Sequence, residues 1–221
     1  MRKYQKGFIK RVGDLVSACQ LLRDSPHRDV LKLLANTDTK QNPKLPGWVL
    51  KQPKRRALRQ AELWTAFGRA LAEHSHSSSD EGENLPEEVK YLLDRELLER
   101  GFQITCSLCS AQEWYRAEEV GQSFSCHRCY ENQKLRSNPT WLYKLPEVVY
   151  QLLNSNADVP LLALSVMAAR SEKQFCYVLD FDIFQASDPR GQNIDFACFS
   201  DGLAYIGEAK TVDYIYSVFS A

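Results

Sequence analysis

Cys106-Ser-Leu-Cys109 and, after sixteen intervening residues, Cys126-His-Arg-Cys129 are the segments around which the chain organises. Each Cys-x-x-Cys is a tight knuckle that aims two thiolates at one point, and two knuckles complete a tetrahedron. The intervening length suits a zinc ribbon, in which short hairpins carry the knuckles. Trp114-Tyr115 and Phe124 are the apolar cover that so small a module needs. A thioredoxin-like redox pair is the competing use of either half, but it needs a βαβ context and does not account for two copies. Four cysteines close the coordination shell and leave no position for water or substrate, so the expected Zn2+ is structural. His127, inside the second knuckle, reads as a surface side chain, with replacement of a cysteine as the alternative.

Outward from the knuckles, Pro86-Glu87-Glu88 opens a helix with acids in its first turn, where the helix dipole favours them. Val89, Leu92, Leu93 and Leu97 give its buried stripe, and Arg100-Gly101 its expected end. Residues 74–85 are small, polar and repetitive and read as a linker, with His74 and His76 solvated rather than metal-bound. Residues 1–73 read as helical. Phe8, Val12, Leu15, Val16, Cys19 and Leu22 recur at helical spacing until Ser25-Pro26, a second helix is expected near 29–35, and Leu58, Leu63, Trp64, Phe67 and Leu71 mark an amphipathic stretch. Beyond the ribbon, two helices are expected within 145–170, begun by Pro146 and Pro160, then strands at 176–184, 194–199 and 203–208.

A composition of 44% hydrophobic and 25% charged residues excludes wholesale disorder. The zero net charge conceals a split. Residues 1–70 hold 16 Lys/Arg against 5 Asp/Glu, and the remainder 12 against 23. The basic front is expected to meet a polyanion, nucleic acid first, the alternative being that it docks on the acidic remainder. The first ten residues lack the apolar core of a secretory signal, and the longest apolar stretch, 159–169, is too short to span a bilayer. A cytoplasmic protein is expected, which argues against a disulfide set among the seven cysteines. Cys19, Cys176 and Cys198 stand alone, the last two in strand-like apolar runs where a thiol acts as a small hydrophobe.

Residues 193–210 read Asn-Ile-Asp-Phe-Ala-Cys-Phe-Ser-Asp-Gly-Leu-Ala-Tyr-Ile-Gly-Glu-Ala-Lys. Asp201-Gly202 between two apolar runs predicts a hairpin with a two-residue type I′ turn. That turn sets Ser200 opposite Leu203 and Asp195 opposite Glu208, and alternation puts Lys210 on the face of Glu208. Two opposed carboxylates in an apolar hairpin repel, and a divalent cation between them resolves the conflict. An exposed ion-pair ladder at a sheet edge is the alternative; the apolar flanks Ile194, Phe196, Phe199, Tyr205 and Ile206 argue against it.

This Asp, turn, Glu-x-Lys constellation is similar to that of the PD-(D/E)xK nuclease superfamily, the restriction-endonuclease-like fold. The resemblance covers roughly residues 141–210, in the order helix, strand, Asp-bearing strand, Glu-x-Lys strand. It implies that Asp195 and Glu208 hold Mg2+ or Mn2+, with the Ala209 carbonyl as a further ligand. Lys210 would position or activate the attacking water and stabilise the phosphorane. Glu147 is the implied third carboxylate, although an acid in a first helical turn also serves the dipole. Asp180 and Asp182 share a strand face and could reach the metal, or simply be solvated. Ile194 replaces the family's nominal proline. Eleven residues follow Lys210, where that family's core continues with a helix and a strand. Either the chain is a fragment, or another segment, domain or chain completes the core.

The expected architecture is α+β: a basic helical region (1–73), the linker (74–85), a helix plus zinc ribbon (86–136), and a restriction-endonuclease-like αβββ core (137–221) incomplete at its C-terminus. The expected function is metal-dependent cleavage of nucleic acid, DNA ahead of RNA, with no membrane partner. Lys51, Lys54, Arg55, Arg56 and Arg59 would contact phosphates. The runner-up is a non-catalytic zinc-ribbon module, with a degenerate nuclease-like core, that binds nucleic acid or protein.

Overall fold

Apolar residues at period 3.6 give way to apolar residues at period 2 twice along this chain, once before the cysteine knuckles and once after Arg170. The structure, a computed structural model, describes residues 2–23, 25–35, 57–74, 85–135, 140–185 and 188–210. In chain order the elements are α1 (Arg2–Val12), α2 (Leu15–Leu22), α3 (Pro26–Ala35), β1 (Ala57–Arg59), α4 (Gln60–His74), α5 (Leu85–Asp94), β2 (Glu99–Thr105), β3 (Gln112–Arg116), β4 (Ser123–Ser125), β5 (Asn132–Lys134), β6 (Leu142–Lys144), α6 (Glu147–Asn154), α7 (Asp158–Arg170), β7 (Phe175–Gln185), β8 (Asp188–Ser200) and β9 (Leu203–Gly207). The fold is α+β with antiparallel sheets. No single helix among the described residues is long and apolar enough to cross a membrane.

Contacts divide the chain into two compact units, residues 1–28 with 147–221, and residues 29–146. These units cut across the contiguous segments expected from sequence. The first 28 residues belong with the last 75 rather than forming a separate basic region. The linker read at 74–85 lies largely outside the described residues; His74 itself ends α4 and places its Nε2 2.9 Å from Asp29 Oδ2.

In the first unit, α1 and α2 pack with α6 and α7 around Phe8, Leu22, Leu152 and Leu161, all fully buried. The sequence suggested one continuous helix from Phe8 to Leu22. The chain breaks instead at Gly13, whose φ of 123° only glycine adopts easily, and Asp14 caps the new helix by accepting from the Ser17 N–H at 2.9 Å. The re-aimed α2 leaves Val16 54% exposed, against the expectation that it is core. Two buried polar side chains tie the helices together. Gln5 Nε2 donates to the Ala157 carbonyl at 3.0 Å, and Cys19 Sγ to the Leu161 carbonyl at 3.0 Å.

The meander β7-β8-β9 completes this unit. Leu179, Phe196 and Cys198 are buried on one face, whereas Cys176, on the other, is exposed rather than packed as a small hydrophobe. The β8–β9 register runs from Ser200↔Leu203 to Phe196↔Gly207, as the Asp-Gly turn requires. Asp201 and Gly202 have φ of 51° and 91°, the positive pair of a type I′ turn. The Asp201 carboxylate accepts the N–H groups of Glu172, Lys173 and Gln174 (2.8, 2.8 and 3.0 Å) and the Ser171 hydroxyl (3.0 Å). Those donors, the Glu172 N–H foremost, pull its pKa from 3.8 to about 2.

In the second unit, a four-stranded sheet of order β1-β6-β2-β3 carries the first knuckle, and the hairpin β4-β5 the second. Strands β1 and β6, each three residues long, were not legible as strands in the sequence. Helix α5 ends at Asp94 rather than at Arg100-Gly101, because Glu96 turns left-handed (φ 52°) and Leu97 and Leu98 are buried below it. Gly101 is a strand residue. A Cβ there would meet the Tyr115 carbonyl oxygen at 2.2 Å and the Trp114 ring at 2.8 Å.

Gly101→Ala is expected to destabilise the chain by about 1–3 kcal/mol through overpacking. Gly68→Ala, in α4 with nothing within 4 Å of the added Cβ, is expected to stabilise it by about 0.5–1 kcal/mol. Urea midpoints that moved in the same direction for both would contradict this packing. For Asp201 the depressed pKa sets the sign. Its contribution is complete above pH 3.8 and fades as pH falls towards 2. The stability advantage of wild type over Asp201→Asn is expected to shrink across that window in acid titrations followed by circular dichroism.

Candidate functional site

The two knuckles repeat one backbone conformation. The Cys106 N–H donates to the Ala111 carbonyl (2.8 Å), and the Ser110 N–H to the Cys106 carbonyl (3.0 Å). Twenty residues on, the Cys126 N–H donates to the Glu131 carbonyl (3.0 Å) and the Tyr130 N–H to the Cys126 carbonyl (2.8 Å). The residue after each second cysteine is left-handed, Ser110 at φ 57° and Tyr130 at 61°. The hairpins thus deliver four Sγ atoms to one point, all within 4.8 Å of one another. Cys106 Sγ lies 3.7 Å from Cys129 Sγ, and Cys109 Sγ 3.8 Å from Cys126 Sγ. A tetrahedron of thiolates with Zn–S near 2.3 Å has edges of about 3.8 Å. The donor set therefore fits a metal ion such as zinc.

The surroundings favour the thiolate at Cys106 and Cys126. At Cys109 and Cys129 backbone hydrogen bonds lower the pKa, but burial and contact with the neighbouring sulfurs outweigh them and raise it. The Cys109 backbone N–H, 3.4 Å from Cys106 Sγ, is the main cause that brings the Cys106 pKa from 9.0 to about 6. The Cys129 N–H acts in the same way on Cys126. Gln133, on β5, bridges the two hairpins. Its Nε2 donates to Cys106 Sγ at 2.6 Å, and its Oε1 accepts from the Ser107 N–H (3.0 Å) and hydroxyl (3.1 Å). Sequence reasoning missed this residue, because a glutamine beyond the last cysteine has no motif. Tyr115 and Phe124, both buried, meet edge to face at 5.0 Å beneath the cluster. Trp114 instead lies under the Lys144 ammonium at 4.4 Å. His127 stands outside the cluster, with its ring 4.3 Å from that of Tyr115 and its Nδ1 3.6 Å from Glu113.

At the far end of the β8–β9 hairpin, the hydrogen-bonded ladder stops at Gly207. The two carboxylates beyond it part. Asp195 Oδ2 accepts the Ala209 N–H at 2.8 Å, and Glu208 Oε2 lies 3.0 Å from Lys210 Nζ. The Glu208 hydrogen bond and charge, with the charge of Asp195, raise the Lys210 pKa. Asp195, Ala209 and Lys210 line a cavity of about 240 Å³ with Ser155 and Asn156 from the α6–α7 turn and Val159 and Pro160 from the start of α7. Sequence reasoning missed that wall, since nothing in the sequence says that the turn meets the hairpin.

Glu147, the first residue of α6, accepts from Gln151 Nε2 at 2.7 Å and does not line the cavity. Asp180 and Asp182 both accept from Asn193 Nδ2, at 3.0 and 3.2 Å. Among the described residues, the four cysteines are the one group of three or more His, Cys, Asp or Glu side chains with converging ligand atoms. Arg59 is exposed in the second unit, and its N–H donates to Glu62 at 2.8 Å. Lys51, Lys54, Arg55, Arg56 and His76 lie outside the described residues.

No protein-family model, no curated protein and no solved structure matches this chain.

The chain purified without chelator is expected to carry one zinc ion, lost in Cys126→Ser, as metal analysis would measure. Gln133→Ala, which removes a hydrogen bond to a ligand, is expected to weaken metal retention about 10–100-fold in competition with a chromogenic chelator. Equal retention by the two proteins would remove Gln133 from the metal's support.

Proposed function

We propose that the chain is a metal-dependent nuclease that hydrolyses phosphodiester bonds of nucleic acid, DNA ahead of RNA. The observation that carries the reading is the cavity in which Asp195, Ala209 and Lys210 meet at the end of a hairpin whose register is fixed. Such carboxylates suit Mg2+ or Mn2+, hard cations that take one or two carboxylates and fill their remaining positions with water and phosphate oxygen. Asp195 would hold it, with Glu208, which is outside the cavity lining, as the second carboxylate, and the ion would polarise the phosphoryl oxygen and lower the pKa of its water.

The chain's own groups do the rest. The Ala209 N–H fixes the Asp195 carboxylate through one oxygen and leaves Oδ1 for a ligand. Glu208 holds the Lys210 ammonium near the cavity, where it donates to the attacking water and offsets the negative charge that grows on the phosphoryl oxygens. The α6–α7 turn forms one side of the cavity. The Zn2+ held by Cys106, Cys109, Cys126 and Cys129 is structural in this reading, since four thiolates leave no site for substrate.

A second reading, a zinc-ribbon binding module with an inactive core, draws on the division of the carboxylates. Asp195 and Glu208 each already have a partner within the chain. Nicking of supercoiled plasmid with Mg2+ or Mn2+ separates the readings. Activity is expected in the wild type and a fall of about 10²–10⁴-fold in Asp195→Asn and in Lys210→Ala, the range that one positioned charged group contributes. Intact plasmid under both metals, with nucleic acid still bound, would select the module.

A further inference from the structure

Helix α1 carries Lys3, Lys6 and Lys10, all exposed, on one side, and no acidic residue anywhere along its length. None of the three lysines makes an ion pair among the described residues. Successive lysines rise by about 4.5 and 6 Å along the axis, so their backbone positions form a row about 10.5 Å long. Lys6 and Lys10 line a groove of about 360 Å³ with Ile9 and with Tyr177, Val178 and Leu179 of the edge strand β7. The groove's charged side chains are thus both cationic. On the other side of α1, Gln5 is fully buried and bonded to the Ala157 carbonyl. Ala157 sits between Asn156 and Val159, which line the cavity of Asp195 and Lys210.

We propose that the Lys3–Lys6–Lys10 row is the surface by which the phosphate backbone of nucleic acid is held beside that cavity. This deepens the nuclease reading and rests on it for the choice of polyanion. A row of ammonium groups with no ion pair among the described residues, at near-phosphate spacing on a helix, fits a phosphodiester chain and supplies affinity without sequence preference. A lipid surface fits poorly. An interfacial helix needs an apolar face to bury in the bilayer, and the apolar residues Phe8 and Val12 are already buried in the protein core. Of the basic run at 51–59, the sequence's own candidate, Arg59 belongs to the other compact unit and residues 51–56 lie outside the described residues.

The test is fluorescence anisotropy of the full chain with a short labelled DNA duplex, without divalent cations so that nothing is cut, over a salt series. The Lys3→Gln, Lys6→Gln, Lys10→Gln variant is expected to bind at least about tenfold more weakly, with a salt slope shallower by about 2–3, since each duplex phosphate contact contributes about 0.9. Its thermal melt should match wild type, because the three side chains are exposed. A folded variant with unchanged slope overturns the proposal, and so does a wild type that binds phosphatidylserine vesicles through these lysines but no duplex. A wild type that binds with the expected slope yet never cuts would instead sink the nuclease reading alone.

Discussion

Three backbone N–H groups and a hydroxyl converge on the carboxylate of Asp201, and the geometry of the first unit follows from that capture. The donors come from the loop between α7 and β7, and the Asp201 N–H answers by donating to the Gln174 carbonyl at 3.1 Å. One end of β7 and the β8–β9 turn are thereby fastened together. Strand pairing then leaves no freedom. A slip of one residue would turn Phe196 and Cys198, now buried, outward and drive their charged and exposed neighbours into the core. Because register is counted from the turn, the position of Asp195 beside Ala209 is a consequence of where Asp201 is held.

The knuckles solve a different problem. Strands β4 and β5 are three residues each, too short to stand as an isolated hairpin. Little apolar surface is available to them beyond Tyr115 and Phe124. Ser110 and Tyr130 also hold a left-handed backbone without being glycine, a conformation that costs on the order of 1–2 kcal/mol each. A metal ion binding four thiolates contributes far more than this, and Gln133 adds a direct link between the hairpins. A metal ion held by the cluster would therefore be the keystone of its own module.

What the sequence made legible were features with local causes. Cysteine spacing places four sulfurs, Asp201-Gly202 sets a type I′ turn and its register, and β-branched and aromatic runs mark β7, β8 and β9. What it hid has causes elsewhere in the chain. Gly101 reads as a helix stop until the Trp114 ring and Tyr115 carbonyl are seen against its Cα. Strand β1 exists because Leu58 finds Tyr143, and no three-residue pattern announces that pairing. Gly13-Asp14 carried a breaking signal of its own, yet the apolar period ran through it. The carboxylate conflict at Asp195 and Glu208 was legible as a conflict. Lys210, on the face of Glu208, was legible as partial relief, but the relief of Asp195 by the Ala209 N–H was not, because it depends on the ladder ending at Gly207.

The same distinction applies to charge. Counted along the sequence, the chain is basic in front and acidic behind, which suggests two bodies with different partners. Counted over the compact units, residues 1–28 bring seven Lys/Arg against two Asp/Glu to the unit in which residues 147–221 hold four against ten. An acidic meander alone would repel a polyanion, and at physiological salt that repulsion reaches about 8 Å. Helix α1 places positive charge within the same unit, and the buried Gln5–Ala157 bond prevents it from drifting as a tail would. The sequence gap between Lys10 and Asp195 is large, but the bond that joins α1 to the wall of the Asp195 cavity is a single step. Residues 1–28 and 147–221 are thus oppositely charged parts of one compact unit rather than two modules.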